Sequence, residues 1–139
     1  MSGLMRMAVL VGVGVLAQVG CGPSTWHLTA GPQTAAAQGR VTATAGPNNN
    51  TRLEIKVKHL ASPHKVTPGA TVYVVWVRGI NESDLPQNVG ALRLDKELTG
   101  MLDTTTPLRS FDLLITAEVS STANKPASDS VLTGRIARR

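Results

Sequence analysis

Aromatic residues are scarce in this chain, at 3% of 139 residues. Trp26, Tyr73, Trp76 and Phe111 are all there are. Val, Leu, Ile and Ala must therefore supply most of any core, at about 25 cal/mol per Å² of buried apolar surface. Cysteine is scarcer still: Cys21 stands alone. A single thiol excludes an intramolecular disulfide, and its place ahead of the folded region excludes a cupredoxin-type copper site, which needs a Cys inside the β domain. No G-x-S-x-G elbow is present, so Ser110, Ser120, Ser121, Ser128 and Ser130 read as loop serines. Basic residues exceed acidic ones, 14 to 9, but form no block. Lys56 and Lys58 alternate with apolar residues beside Glu54, and only Arg135, Arg138 and Arg139 cluster. A nucleic-acid footprint is a denser stripe with aromatics to stack on, so no nucleic-acid partner is expected.

Nor is there an apolar run long enough to span a bilayer, which takes about 20 residues. Met7 to Ala17 is uncharged over 11 residues and follows Arg6. That is the layout of a signal peptide over residues 1–20. Gly12 to Ala17 matches the spacing of a dinucleotide fingerprint, but neither the flanking elements nor the acidic residue about 20 positions on are there. Val19-Gly20-Cys21 closes the segment. With this ending the chain resembles bacterial lipoproteins, although Gln18 stands where that family usually has Leu. The resemblance implies lipidation of the Cys21 thiol, cleavage before it and acylation of the new amine. The membrane is then a partner through the N-terminal lipid. Gly22, in place of an acidic retention residue, implies an outer-membrane location facing the periplasm.

Residues 21–39 lack Asp, Glu, Lys and Arg and are rich in Gly, Pro, Ala, Thr and Gln. This composition reads as a tether. Trp26 is then either a headgroup-layer residue or a partly buried cover. From Arg40 the text turns to period two. Candidate strands are 40–45, 51–60, 71–78, 87–95, 98–104, 111–119 and 130–137, with Gly/Pro/Asn turns between them. In the sixth, Phe111, Leu113, Ile115, Ala117 and Val119 are expected inward, with Asp112, Thr116 and Glu118 outward. The stretch 71–78 is nearly all apolar and reads as a central strand. No helical period is sustained. The expected fold is all-β: an antiparallel, immunoglobulin-like β-sandwich of about seven strands over 40–139, with a small barrel as the alternative.

The order Tyr73-Val74-Val75-Trp76-Val77, Gly90-Ala91-Leu92, Gly100, Phe111 to Glu118 and Lys125-Pro126 resembles the extracytoplasmic domain of anti-sigma-K factors. The resemblance implies a β-sandwich. The sigma-binding helical region and membrane span that precede this domain in that family have no counterpart here, so what carries over is a fold and not a regulatory activity.

His59 and His64 flank a turn but lack the third and fourth ligands of a metal site. Asp95 and Glu97 are a close carboxylate pair of the kind a solvated turn carries. No catalytic residue, metal or cofactor is assigned. The expectation is a non-enzymatic, lipid-anchored envelope protein that binds another envelope component or serves as an accessory subunit. One alternative is a sensor domain working with a separate membrane regulator, and a second is a metal-binding module through His59 and His64.

Overall fold

The computed structural model describes Gly12, Gly14 and residues 22–139. Cys21 and the signal-peptide reading lie outside the described residues. Among the described residues eight strands form: β1 Ser24–Ala30, β2 Gln38–Ala45, β3 Thr51–Lys58, β4 Val72–Gly79, β5 Gln87–Leu92, β6 Gly100–Thr106, β7 Ser110–Glu118 and β8 Ser130–Ala137. One helical turn, α1 (Pro63–Val66), interrupts the loop between β3 and β4. All pairings are antiparallel, and the strand order is β5-β4-β7-β8-β1-β2-β3-β6. The fold is all-β as expected. It has eight strands in one continuous, nearly barrel-like order, where about seven strands in a two-sheet sandwich were anticipated.

The extra strand is β1, and it corrects the tether expected over 21–39. Trp26, Leu28 and Ala30 alternate with outward Thr25, His27 and Thr29. Leu28 is buried, and Trp26 and Ala30 pack against the core. Ser24 to Leu28 pair with β2, and Thr29 and Ala30 cross to pair with β8. A 3-10 turn at Pro32–Thr34 then docks on β8, with the Thr34 hydroxyl donating to the Val131 carbonyl at 2.9 Å. At the crossing, Leu28 lies against Gly39. A Cβ on Gly39 would sit 2.8 Å from Leu28 Cδ1 and 3.1 Å from its Cβ, so only glycine fits without a shift.

The other end of the order closes by side chains. β5 and β6 share no ladder, only a bridge between Leu94 and Gly100 beside them. The Thr104 hydroxyl donates to the Val89 carbonyl at 2.7 Å, and Leu102 fills the space over Gly90. Gly90 has φ +146 and sits at the register shift opposite Val75 and Trp76, where the left-handed backbone favours glycine.

Period-two alternation places Leu53, Ile55 and Val57 of β3, Tyr73, Val75 and Val77 of β4, and Phe111, Leu113 and Ile115 of β7 in one core. Each buried side chain of this size contributes about 1.5–3 kcal/mol. The other face of β4 is also buried. Val72, Val74 and Trp76 form a second, smaller core with Leu114, Ala91 and Ala123. The loop 120–129 lies over them as a strap. This explains why β4 reads as a continuous apolar run, and it corrects three expected orientations. Thr116 and Glu118, expected outward, are buried beneath the strap, whereas Val119, expected inward, falls past the strand end and is 70% exposed.

Candidate binding face

The outer face of β1, β2, β3 and β6 carries a row of side chains that strand register brings together. His27 stands opposite Arg40, Arg40 opposite Lys56, and Lys56 opposite Met101. With strands about 4.8 Å apart the row spans roughly 14 Å. Gln38 and Lys58 form the adjacent row. All five residues from His27 to Lys58 are exposed, as are Met101 and Arg93. Arg40 facing Lys56 violates a local rule of sheets, since like charges directly opposite are destabilising.

Two concavities meet along this face. The first is lined by His27, Gln38, Gly39, Arg40, Lys56 and Lys58. The second, of about 510 Å³, is bounded by Lys56, Lys58, Arg93 and the carboxylate of Asp95 around Leu94 and Met101. Lys56 and Lys58 line both, so the two concavities adjoin along β3 and together set a mainly cationic rim beside the apolar Leu94 and Met101.

Two of the carboxylates nearby have partners within the protein. Glu54 pairs with Lys56 at 3.1 Å. Asp95 Oδ1 accepts the backbone N–H of Glu97 at 2.9 Å and of Thr99 at 3.0 Å, which builds the turn into β6. The Asp95–Glu97 pair is thus a turn device. Asp103 faces Glu54 in the next row. Among the described residues, no carboxylate lies within 4.0 Å of Arg40, Lys58 or Arg93.

Other residues singled out from sequence are spent on structure. Arg135 Nε donates to Asp112 Oδ1 at 2.8 Å, and Arg78 donates to Asp112 Oδ2 at 3.3 Å. The Arg135 guanidinium foremost, with Arg78, holds the Asp112 carboxyl below the usual carboxylate range. Arg138 Nε donates to the Thr51 hydroxyl at 2.9 Å. The basic C-terminal cluster is therefore largely committed to ion pairs and hydrogen bonds. Glu118 Oε1 accepts the Thr116 hydroxyl at 2.6 Å and the Ala127 N–H at 3.0 Å, while Thr116 accepts the Trp76 indole N–H at 2.8 Å. Of the serines, Ser128 donates to the Ala117 carbonyl, and Ser120 hydrogen-bonds Thr122. His59 and His64 are exposed at a strand end and on α1. Among the described residues no three His, Cys, Asp or Glu side chains gather to hold a metal ion.

The cationic row was missed in the sequence because its members come from three strands about fifteen positions apart, and only the register aligns them. The signal available was the outward position of each within its strand.

No protein-family model, curated protein or solved structure matches this chain. Among the described residues no helix is long and apolar enough to cross a membrane.

Proposed function

We propose that the chain is a non-enzymatic binding module of the bacterial envelope, anchored through lipid on Cys21, whose ligand face is the cationic groove of β1, β2, β3 and β6. The observation that carries the reading is Arg40 set directly opposite Lys56 with His27 beyond it. Like charges directly opposite are locally destabilising, and the Arg40–Lys56 row, set beside the acidic Glu54–Asp103 row, suits the anionic groups of a partner. The commitments of the least exposed carboxylates agree with a binding rather than a catalytic role. Asp112 is clamped by two arginines, and Glu118 ties down the strap.

Two measurements test this. Mass spectrometry of the mature N-terminus should find an acylated Cys21 as the first residue. An intact N-terminus, or an unmodified thiol, overturns the anchor. Hydrolytic or transfer activity that survives purification and disappears on one carboxylate or serine substitution overturns the non-enzymatic reading.

A further inference from the structure

We infer that the cationic face lies flat on the anionic phospholipid headgroups of the membrane that holds the protein. This inference rests on the anchored reading above and gives the groove its ligand.

The first argument is reach. β1 begins at Ser24, so only Gly22 and Pro23 separate it from Cys21. Three residue steps extend about 11 Å at most, against roughly 60 Å for a free tether ending at Gly39. The domain is held within a side chain or two of the bilayer. β1 is itself a strand of the layer that carries His27, Arg40 and Lys56, so the chain leaves the domain from that same layer.

The second argument is charge. Glu54 is paired with Lys56, Asp95 at the turn keeps its charge while accepting two backbone N–H groups, and among the described residues no carboxylate lies within 4.0 Å of Arg40, Lys58 or Arg93. Asp103 lies on the same face, one row from the cations and opposite Glu54, so the cations form a strip beside an acidic pair. Basic side chains near an anionic leaflet each strengthen binding about fivefold. The third is the apolar floor. Met101 is 58% exposed at the end of the cation row, and Leu98 is 37% exposed on the adjoining turn. Long side chains of this kind fit the boundary between headgroups and acyl chains.

The test uses the full protein extracted from membranes and reconstituted in vesicles, with amine acetylation read lysine by lysine. Lys125, in the strap over the opposite sheet face, is the internal control. In vesicles rich in phosphatidylglycerol, Lys56 and Lys58 should react about fivefold more slowly than in phosphatidylcholine alone, with Lys125 unchanged. About 1 M salt, where the Debye length is about 3 Å, should abolish the difference. Equal rates at Lys56 and Lys58 in both vesicle types overturn the inference. Equal protection by inorganic phosphate in detergent, without vesicles, also overturns it and assigns the groove to a soluble anion. The exposed pair Arg40→Gln and Arg93→Gln should lose the protection with an unchanged circular dichroism spectrum. Protection that persists in this variant overturns the role of the face. The N-terminal mass of the same samples separates the two readings. An acylated Cys21 without protection removes this inference alone, whereas protection with an unmodified Cys21 removes the anchor and supports the face.

Discussion

Glu118 is the point at which the strap can be cut. It is 3% exposed, and its Oε1 holds two donors, the Thr116 hydroxyl and the Ala127 amide. Thr116 in turn accepts the Trp76 indole N–H, so one carboxylate orders three groups over the second core. Glu118→Ala removes a charge-assisted hydrogen bond to Ala127, which contributes about 1.5–3 kcal/mol, and strips the Thr116 hydroxyl of its acceptor, costing about 1–3 kcal/mol. Relief of the carboxylate's own desolvation offsets part of this. The expected net loss is about 2–4 kcal/mol, a large fraction of the 5–15 kcal/mol typical of a domain. Urea unfolding measures the total. Hydrogen exchange measures its location, because the strap keeps the Asn88 contacts to the Ser121 and Ala123 carbonyls and should loosen first around Ala127. Glu118→Gln keeps an oxygen acceptor and should recover at least half of the loss. Thr116→Val combined with Glu118→Ala should cost less than the sum of the single changes, since both break one network. A Glu118→Ala protein within about 0.5 kcal/mol of wild type, with Ala127 exchanging as slowly as before, would refute the network as the strap's fastening.

Four further outcomes are expected. Tyr73, the chain's single tyrosine, donates to the Ala61 carbonyl, and burial pushes its phenol up to about 12. Ultraviolet titration should show no ionisation near pH 10, and stability that Tyr73 supplies below pH 10 should fall away as pH rises toward about 12. Asp112 has the opposite sign: held low by Arg135 and Arg78, it stabilises above the ordinary carboxylate range and loses that contribution on acidification, so Asp112→Asn should flatten the acid limb of a stability–pH curve. Gly39→Ala should destabilise by about 1–2 kcal/mol in thermal or urea unfolding, and combined with Leu28→Ala it should cost less than the sum of the two single changes, because both act on the same space. Arg40→Thr should raise stability by about 0.2–1 kcal/mol at low salt, by relieving the like-charge pair with Lys56, while weakening the ligand face.

Much of this fold was legible in the chain. The alternation in Leu53-Ile55-Val57 and in Phe111-Leu113-Ile115 places β3 and β7 directly, and the turn residues bound them. β1 was misjudged because its segment has no charge and is flanked by Gly and Pro, the composition of a linker. Its alternation of Trp26, Leu28 and Ala30 is only three residues deep, too short to outweigh a linker composition. The orientations of Thr116 and Glu118 were misjudged for a different reason. Period two gives the face a residue occupies, but a face becomes interior only if something covers it, and the strap that does so comes from a loop without periodicity. The ligand face was the least legible part. Lys56 was correctly placed outward beside Glu54, yet its meaning depends on Arg40 and His27, which only strand register sets opposite it.

The two-pair ladder between β1 and β8 also sets the order of events in folding. Thr29 meets Thr133 and Ala30 meets Leu132, contacts about a hundred residues apart. The strands β1, β2 and β3 are consecutive and can pair as soon as they exist, while β1's last two residues wait for the final strand of the chain. Contacts so distant in sequence are slow to form, because most of the chain must be ordered to bring them together. β1 is therefore completed only once β8 has formed, and until residues 130–137 are in place Thr29 and Ala30 lack their ladder partners.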